Sequence, residues 1–264
     1  MSPLLRDQLR IKMSPEEVAM VRFGRGLHPE VVTRNFVACA VSSHDDAPWT
    51  KVLDGLDAAL NTIDGEKIDA VVTLSNHFVR FALVPWNEQI NDPGEEQAFV
   101  RLCFTQTYGV DARHWALRVS PAGYGETQVA SAIDQGLLEG IERVASAHGV
   151  RLVSLQPYFM WMFNQWRDEL RDSTVWFVVV EPGRLCISQL QQGCWHTLRT
   201  IKVGDDWPAA LQKLLEREYL ISESATERGT VYLYAPNLTA AIDFPGWKVH
   251  LLGTTKTVVP QLQA

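Results

Sequence analysis

The sequence predicts a duplicated mixed α/β fold of two lobes, and three observations predict it. The first is the stretch Thr174 to Val203, TVWFVVVEPGRLCISQLQQGCWHTLRTIKV. Its β-branched and aromatic runs are separated by Pro182-Gly183 and Gln192-Gly193, the pattern of a three-stranded meander. The second is a degenerate copy of that meander in the first third of the chain. The third is that each copy leads into a helical pattern and then a strand, with further helix and strand beyond.

In the first copy, Gln8 to Lys12 and Val18 to Phe23 are alternating apolar runs on either side of Met13-Ser14-Pro15-Glu16-Glu17. Glu30 to Val41 follows the Gly24-Arg25-Gly26 turn as the third run. Ser43 to Ala47 is a polar break. Pro48 to Asn61 then carries Val52, Leu56, Ala59 and Leu60 at helical spacing, with Asp46 or Ala47 near its start. Ile68 to Leu74 reads as a buried strand. After Ser75-Asn76-His77, the run Phe78 to Trp86 reads as its partner or continuation, with Pro85 ending it. Glu95 to Tyr108 is helical again, and Gly109 stops it.

Trp115 to Ser120 is a strand, Pro121-Ala122-Gly123-Tyr124-Gly125 is a turn-rich connection, and Gln128 to Ile133 is ambiguous. From Ser131 to His148 the positions Ile133, Leu137, Ile141, Val144 and Ala145 form one helical face, with Gly149 as the stop. Gly136 and Gly140 share a face and read as close packing on a neighbour. Val150 to Leu155 is a strand, and Pro157 to Leu170 an aromatic-rich helix suited to core or interlobe packing. After the second meander, Asp205 or Asp206 caps a helix through Leu211, Leu214, Leu215 and Tyr219. Thr230 to Ala235 and Trp247 to Leu252 are the last strands, Pro236 to Asp243 a short helix or loop, and the tail from Thr254 is polar.

At 264 residues, 46% hydrophobic and 21% charged, the chain can bury one large core or two medium ones. A formal charge of -7 argues against a phosphate-backbone binder, so no nucleic-acid partner is expected. Cys39, Cys103, Cys186 and Cys194 have neither CxxC nor zinc spacing and read as buried apolar residues of a reducing compartment. No run approaches the roughly 20 apolar residues that span a bilayer, and the first residues lack a signal peptide's apolar segment. The expected location is the cytoplasm.

Signatures of common chemistry are missing. There is no GxxxxGK[ST], no GxGxxG after a strand, no HExxH and no GxSxG. The seven histidines have no ligand-like spacing, and His44-Asp45-Asp46 is better explained by helix capping than by a metal. Glu16 with Glu17, and Glu95 with Glu96, are neighbours in sequence and so cannot share a proton across one face. Nine tryptophans are the unusual feature of the composition; most read as core, and an exposed one would be an anchor for a partner.

Three segments carry a resemblance. They are VVTLSNHFVRFALVPW (Val71 to Trp86), the acidic-led helix EEQAFVRLCFTQTYG (Glu95 to Gly109), and AHGVRLVSLQPYFMWMFNQW (Ala147 to Trp166). With the element order, they make the chain resemble the actin-like ATPases, whose fold is two ribonuclease-H-like lobes. Within that group it is similar to the type IV pilus assembly protein PilM and to the cytoplasmic domain of the type II secretion protein GspL. The resemblance implies a first lobe over 1–156 with an inserted small subdomain at about 68–130, and a second lobe with a crossing helix over 157–264.

Where the fold holds nucleotide, this sequence departs from the pattern. Backbone N–H groups must approach the phosphates and a carboxylate must hold Mg²⁺ or its waters. The first such loop would be Lys12-Met13-Ser14-Pro15-Glu16-Glu17, with no aspartate or glycine and with proline removing a donor. The second would be Glu181-Pro182-Gly183-Arg184, and Tyr234-Ala235-Pro236-Asn237 stands where a glycine-rich adenine loop is usual. Ser14, Glu16, Glu181, Gly183 and Arg184 are therefore vestigial loop residues in this reading, with no catalytic residue, no metal and ATP with Mg²⁺ disfavoured. The implied function is a non-catalytic cytoplasmic scaffold of a pilus or secretion platform. It would capture a short segment of a PilN-like, or other single-pass, inner-membrane protein through Phe78, Arg80 and Trp86. The alternative is a weak ATPase or kinase using Ser14, Glu181, Gly183 and Arg184.

Overall fold

The β-branched runs form strands where the alternation says they should. A computed structural model describes residues 6–27, 29–40, 47, 49–63, 68–90, 92–109, 112–171, 174–221, 228–238 and 242–253. The expected Asp46 cap, the His44-Asp45-Asp46 loop and the tail from Thr254 lie outside the described residues. The first meander is β1 (Gln8–Met13), β2 (Glu17–Phe23) and β3 (Val31–Ala38), followed by α1 (Thr50–Leu60) and β4 (Ile68–Leu74). Then come β5 (Arg80–Val84), α2 (Pro93–Tyr108), β6 (Trp115–Ser120), β7 (Gln128–Asp134), α3 (Gln135–Ala147), β8 (Val150–Pro157) and α4 (Tyr158–Trp166). The second meander is β9 (Thr174–Glu181), β10 (Arg184–Gln191) and β11 (Cys194–Lys202), followed by α5 (Trp207–Ile221), β12 (Thr230–Tyr234) and β13 (Lys248–Leu251).

The duplication is visible in the hydrogen-bonded order. One sheet runs β3-β2-β1-β4-β8 and the other β11-β10-β9-β12-β13. In each, the three meander strands are antiparallel, the fourth lies parallel to the first, and the last lies parallel to the fourth. The Gln192-Gly193 turn has positive φ at both residues (52° and 81°), which gives the twist a tight hairpin needs. A third, smaller sheet, β5-β7-β6, is covered on one side by α2 through Val100, Cys103 and Phe104.

Three expectations are corrected. The strand around Phe78 to Trp86 does not pair with Ile68 to Leu74: β5 pairs antiparallel with β7, because the Ser75-Asn76-His77 turn carries the chain out of the first sheet. The small sheet therefore begins at Arg80 and ends at Asp134, and β4 belongs to the first sheet between β1 and β8. Ile133 sits in β7 rather than on the helix, whose start is fixed by Asp134, its carboxylate accepting from the Gly136 N–H at 2.8 Å.

The glycine face of α3 does pack closely, and the neighbour is α1. A Cβ at Gly140 would lie 2.3 Å from Leu53, and one at Gly136 2.8 Å from Trp49. One continuous apolar core joins the inner face of the first sheet, α1, α3 and α4 to the side chains of Phe177, Val179, Cys186 and Leu190 in the second sheet. Trp176, Val178, Leu185 and Ile187 point to the opposite face, under α5. The aromatic helix α4 is thus the interlobe filler its composition suggested, with Phe159 and Phe163 packed on Phe177 and Trp195.

Candidate functional site: a polar clasp between the lobes and an aromatic pair on the small sheet

Parallel strands end together, so the carboxyl ends of β1 and β4 form one rim and those of β9 and β12 another, a place where α/β folds put ligands. The rims meet. The Ser75 N–H donates to the Met13 carbonyl at 2.8 Å, which ties the turn after β4 to the end of β1. From the other lobe, the Glu181 carboxylate at the end of β9 accepts from the Asn76 N–H at 2.9 Å and from Asn76 Nδ2 at 2.6 Å. Asn76 uses its remaining oxygen, Oδ1, to accept from the Phe159 N–H at 3.0 Å, capping the start of α4. Both residues are buried.

The surroundings decide the charge states. Burial pushes the Glu181 carboxyl above its ordinary value of 4.5, against the opposing pull of the Asn76 N–H, the Ser75 hydroxyl and the Lys12 ammonium. Lys12 itself lies over the Tyr158 ring at 4.8 Å. Burial raises Tyr158 well above 10, helped by its hydrogen bond to Tyr234 from the end of β12. His77, with Nδ1 2.9 Å from Ser75 Oγ, is lowered to about 4 by burial and by Arg184 and Lys202. Gly183, at φ 73°, brings the second hairpin turn against this imidazole: a Cβ there would lie 3.4 Å from His77 Nε2.

The predicted loop residues Ser14, Glu16, Glu181, Gly183 and Arg184 have different surroundings in the two hairpins. In the first hairpin the donors are spent within the turn: the Ser14 N–H and Oγ both donate to the Glu17 carbonyl, at 2.9 and 3.0 Å, and Ser14 Oγ accepts from the Glu17 N–H at 3.1 Å. The exposed Glu16 lends its carbonyl to the Cys39 N–H. In the second hairpin the carboxylate that should face a metal is Glu181, which faces Asn76 instead. Among the described residues no group of three or more His, Cys, Asp or Glu side chains could hold a metal ion.

The predicted partner residues are separated by the structure. Phe78 is 7% exposed and belongs to the main core. Arg80 lays its guanidinium over Trp115 at 4.4 Å. Trp86, just past β5, is 41% exposed and packs at 4.7 Å between ring centroids on Tyr124, which is 83% exposed in the β6–β7 connection. Glu126, whose carboxylate accepts from the Gly123 N–H at 2.9 Å, also reaches Cys194 at the start of β11, where burial first and then its charge and hydrogen bond raise the thiol. The free side of β5 is closed in part by Tyr108, whose hydroxyl accepts from the Phe81 N–H at 3.0 Å and donates to the Phe81 carbonyl at 2.9 Å.

Sequence reasoning missed Asn76, which it placed in a turn, and Tyr124, which it placed in a connection. The signal for Asn76 was a polar Ser-Asn step directly after a largely buried parallel strand. Nothing in the sequence signalled Tyr124.

No protein-family model matches the sequence, and no curated protein matches it either. Solved structures do. A Bacteroides thetaiotaomicron protein with an actin-like ATPase fold and unknown function superposes with a TM-score of 0.59 at 10% identity, over 90% of this chain and 86% of that one. The PilM-PilN type IV pilus biogenesis complex gives 0.60 at 14% identity, over 86% and 80%. The cytoplasmic domain of EpsL, an inner-membrane component of the type II secretion system of Vibrio cholerae, gives 0.57 at 12% identity, over 94% and 90%. The chain has the actin-like ATPase fold. Among the described residues no helix is long and apolar enough to cross a membrane.

Proposed function

We propose that this protein is a non-catalytic scaffold of a pilus or secretion-type inner-membrane platform, built from a first lobe (1–156) and a second lobe (157–264). One observation carries the non-catalytic part. The carboxylate and amide of Glu181 and Asn76 fill the junction of the two rims with each other, so the carboxylate that would have to hold a metal or its waters already has partners. Glu181 also adds an acceptor where a polyphosphate needs donors.

The partner is a short cytoplasmic segment of a PilN-like, or other single-pass, inner-membrane protein, and it binds beside the small sheet. Support comes from the likeness to the PilM-PilN complex and to the EpsL cytoplasmic domain, and from the exposed Trp86–Tyr124 pair. Paired exposed aromatics are the kind of anchor on which interfaces concentrate their energy. Arg80 contributes charge at the other end of β5, and Phe78 supports the strand from beneath. The protein would then be cytoplasmic and reach the membrane through its partner.

The test is thermal unfolding with millimolar ATP and Mg²⁺, beside unfolding with synthetic peptides from the cytoplasmic ends of single-pass membrane proteins encoded next to this one. A ligand at 100 times its dissociation constant adds about 2.7 kcal/mol. The scaffold expects no magnesium-dependent rise with nucleotide, and a rise with a peptide that Trp86→Ala abolishes. A magnesium-dependent rise would instead favour the weak ATPase or kinase using Ser14, Glu181, Gly183 and Arg184.

A further inference from the structure

The ends of a sheet are its exposed hydrogen-bonding edges, and proteins normally protect them. Most edges here are protected. β11 lies against β5, and β5 has the Tyr108 hydroxyl on Phe81. β8 is broken by a bulge at Val153, β13 is four residues long, and β6 exposes no large apolar side chain.

β3 is the exception. It is eight residues long, it ends the first sheet, and among the described residues no strand pairs with its outer side. Val32 is 58% exposed and Phe36 39%, with Leu27 and Val31 exposed beside them.

The register of β3 says which groups face outward. The Cys39 N–H donates to the Glu16 carbonyl at 2.7 Å, which makes Glu16 and Cys39 a hydrogen-bonded pair. Alternation along an antiparallel ladder then assigns Val18 with Val37, Met20 with Asn35 and Arg22 with Thr33 as bonded pairs. Arg34, Phe36 and Ala38 therefore turn their N–H and C=O groups to the open edge. Val37 packs into the core and Asn35 Nδ2 reaches Thr62 after α1 at 3.0 Å, so the side chains of Arg34 and Phe36 lie on the sheet's other face.

We propose that β3 docks antiparallel on β3 of a second copy of this chain, across a two-fold axis through Asn35. That register aligns the outward-facing backbone groups of Arg34 with those of Phe36 of the second copy, and the reverse. It sets each guanidinium beside an aromatic ring and Val32 opposite Ala38. A register centred on Arg34 would oppose two like charges directly, which cross-strand pairs disfavour. An isologous interface needs this self-complementarity about a single residue, which a foreign strand would not require.

The test uses the full chain. Light scattering after size exclusion, over a concentration series, is expected to give a dimer that Phe36→Lys and Val32→Lys each convert to monomer with an unchanged circular dichroism spectrum. Asn35 sits at a non-bonded pair about 4.5 Å across between Cα atoms, which suits a disulfide. With Cys39→Ser and Cys194→Ser in the background, Asn35→Cys is expected to oxidise to a reducible dimer faster than Thr33→Cys or Arg34→Cys. A monomer at every concentration, or a dimer that survives both lysine variants, would overturn the proposal. Preferential crosslinking at residue 34 would overturn the register. None of these readouts depends on the peptide or nucleotide experiment.

Discussion

The hairpin that opens each lobe occupies the same place in the same topology, yet the two have opposite relations to the rest of the molecule. The β1–β2 turn satisfies itself: Ser14 and Glu17 exchange three hydrogen bonds and contact nothing across the cleft through them. The β9–β10 turn sends the side chain of its first residue into the opposite lobe, where Glu181 meets Asn76. The flanking strands differ accordingly. β9 is buried on both faces, from Val175 to Glu181, whereas β1 alternates and β3 is open. A hairpin loop in this fold can thus be a local turn or an interlobe fastener without any change in strand order. The difference is made by one long acidic side chain and one asparagine that accepts and donates at once.

The sharpest way to break the contrast is Asn76→Ala. It removes the acceptor of the buried Phe159 N–H and the closer of two donors to the Glu181 carboxylate, which keeps the backbone N–H of residue 76. Leaving such groups unpaired costs roughly 1–3 kcal/mol each, so a loss of about 3 kcal/mol is expected. For a chain of this size that is a fall in melting temperature of about 6–12 °C, read by calorimetry. A fall under about 2 °C would mean that water or a neighbour takes over both bonds and that the clasp does not hold the lobes.

The strands were legible because β-branched runs bounded by glycine and proline turns leave few alternatives, and Gly109 and Gly149 ended their helices as read, both with left-handed φ. The repeat was legible for the same reason. Pairing was not: Phe78 to Trp86 has the right composition to lie beside Ile68 to Leu74, and only the turn geometry sends it to β7. Ile133 satisfies the helical period and the strand period at once, and the Asp134 cap decides between them. Ser14, Glu181 and Gly183 fall at the β1–β2 and β9–β10 turns that the sequence marks. What Glu181 contacts was hidden, because Asn76 lies 105 residues away and no local pattern links the two.

A smaller effect, with a definite sign, separates burial from pairing at the clasp. The native Glu181 carboxyl is raised by burial, so over the window from 4.5 up to its native value the folded state binds the proton more tightly than the unfolded state. Stability from this group is present in full below 4.5 and is lost as pH rises through the native value. Glu181→Gln keeps an oxygen to accept both Asn76 donors and does not titrate. The variant should melt above the wild type at pH 8, with the gap closing toward pH 4. The charged neighbour that faces the carboxyl, Lys12 from β1, stays unchanged in the comparison. A gap that widens on acidification would mean that pairing, chiefly with Lys12, outweighs burial.

The smallest effect belongs to the other hairpin, and its smallness is the point. Ser14→Ala removes one hydroxyl that donates to the Glu17 carbonyl and accepts from its N–H, at a partly exposed turn where water can replace both. A local hydrogen bond of this kind contributes about 0.5–1.5 kcal/mol, so a fall of only a few degrees is expected, and it should be the same at pH 5 and pH 8. Combining it with Asn76→Ala should give the sum of the two losses within about 0.5 kcal/mol, because the Ser14 hydroxyl bonds only with Glu17 inside its own turn. A coupling well beyond that would show that the β1–β2 turn senses the state of the clasp. The two hairpins would then act as one device across the cleft, as they must in a lobe pair that grips a ligand.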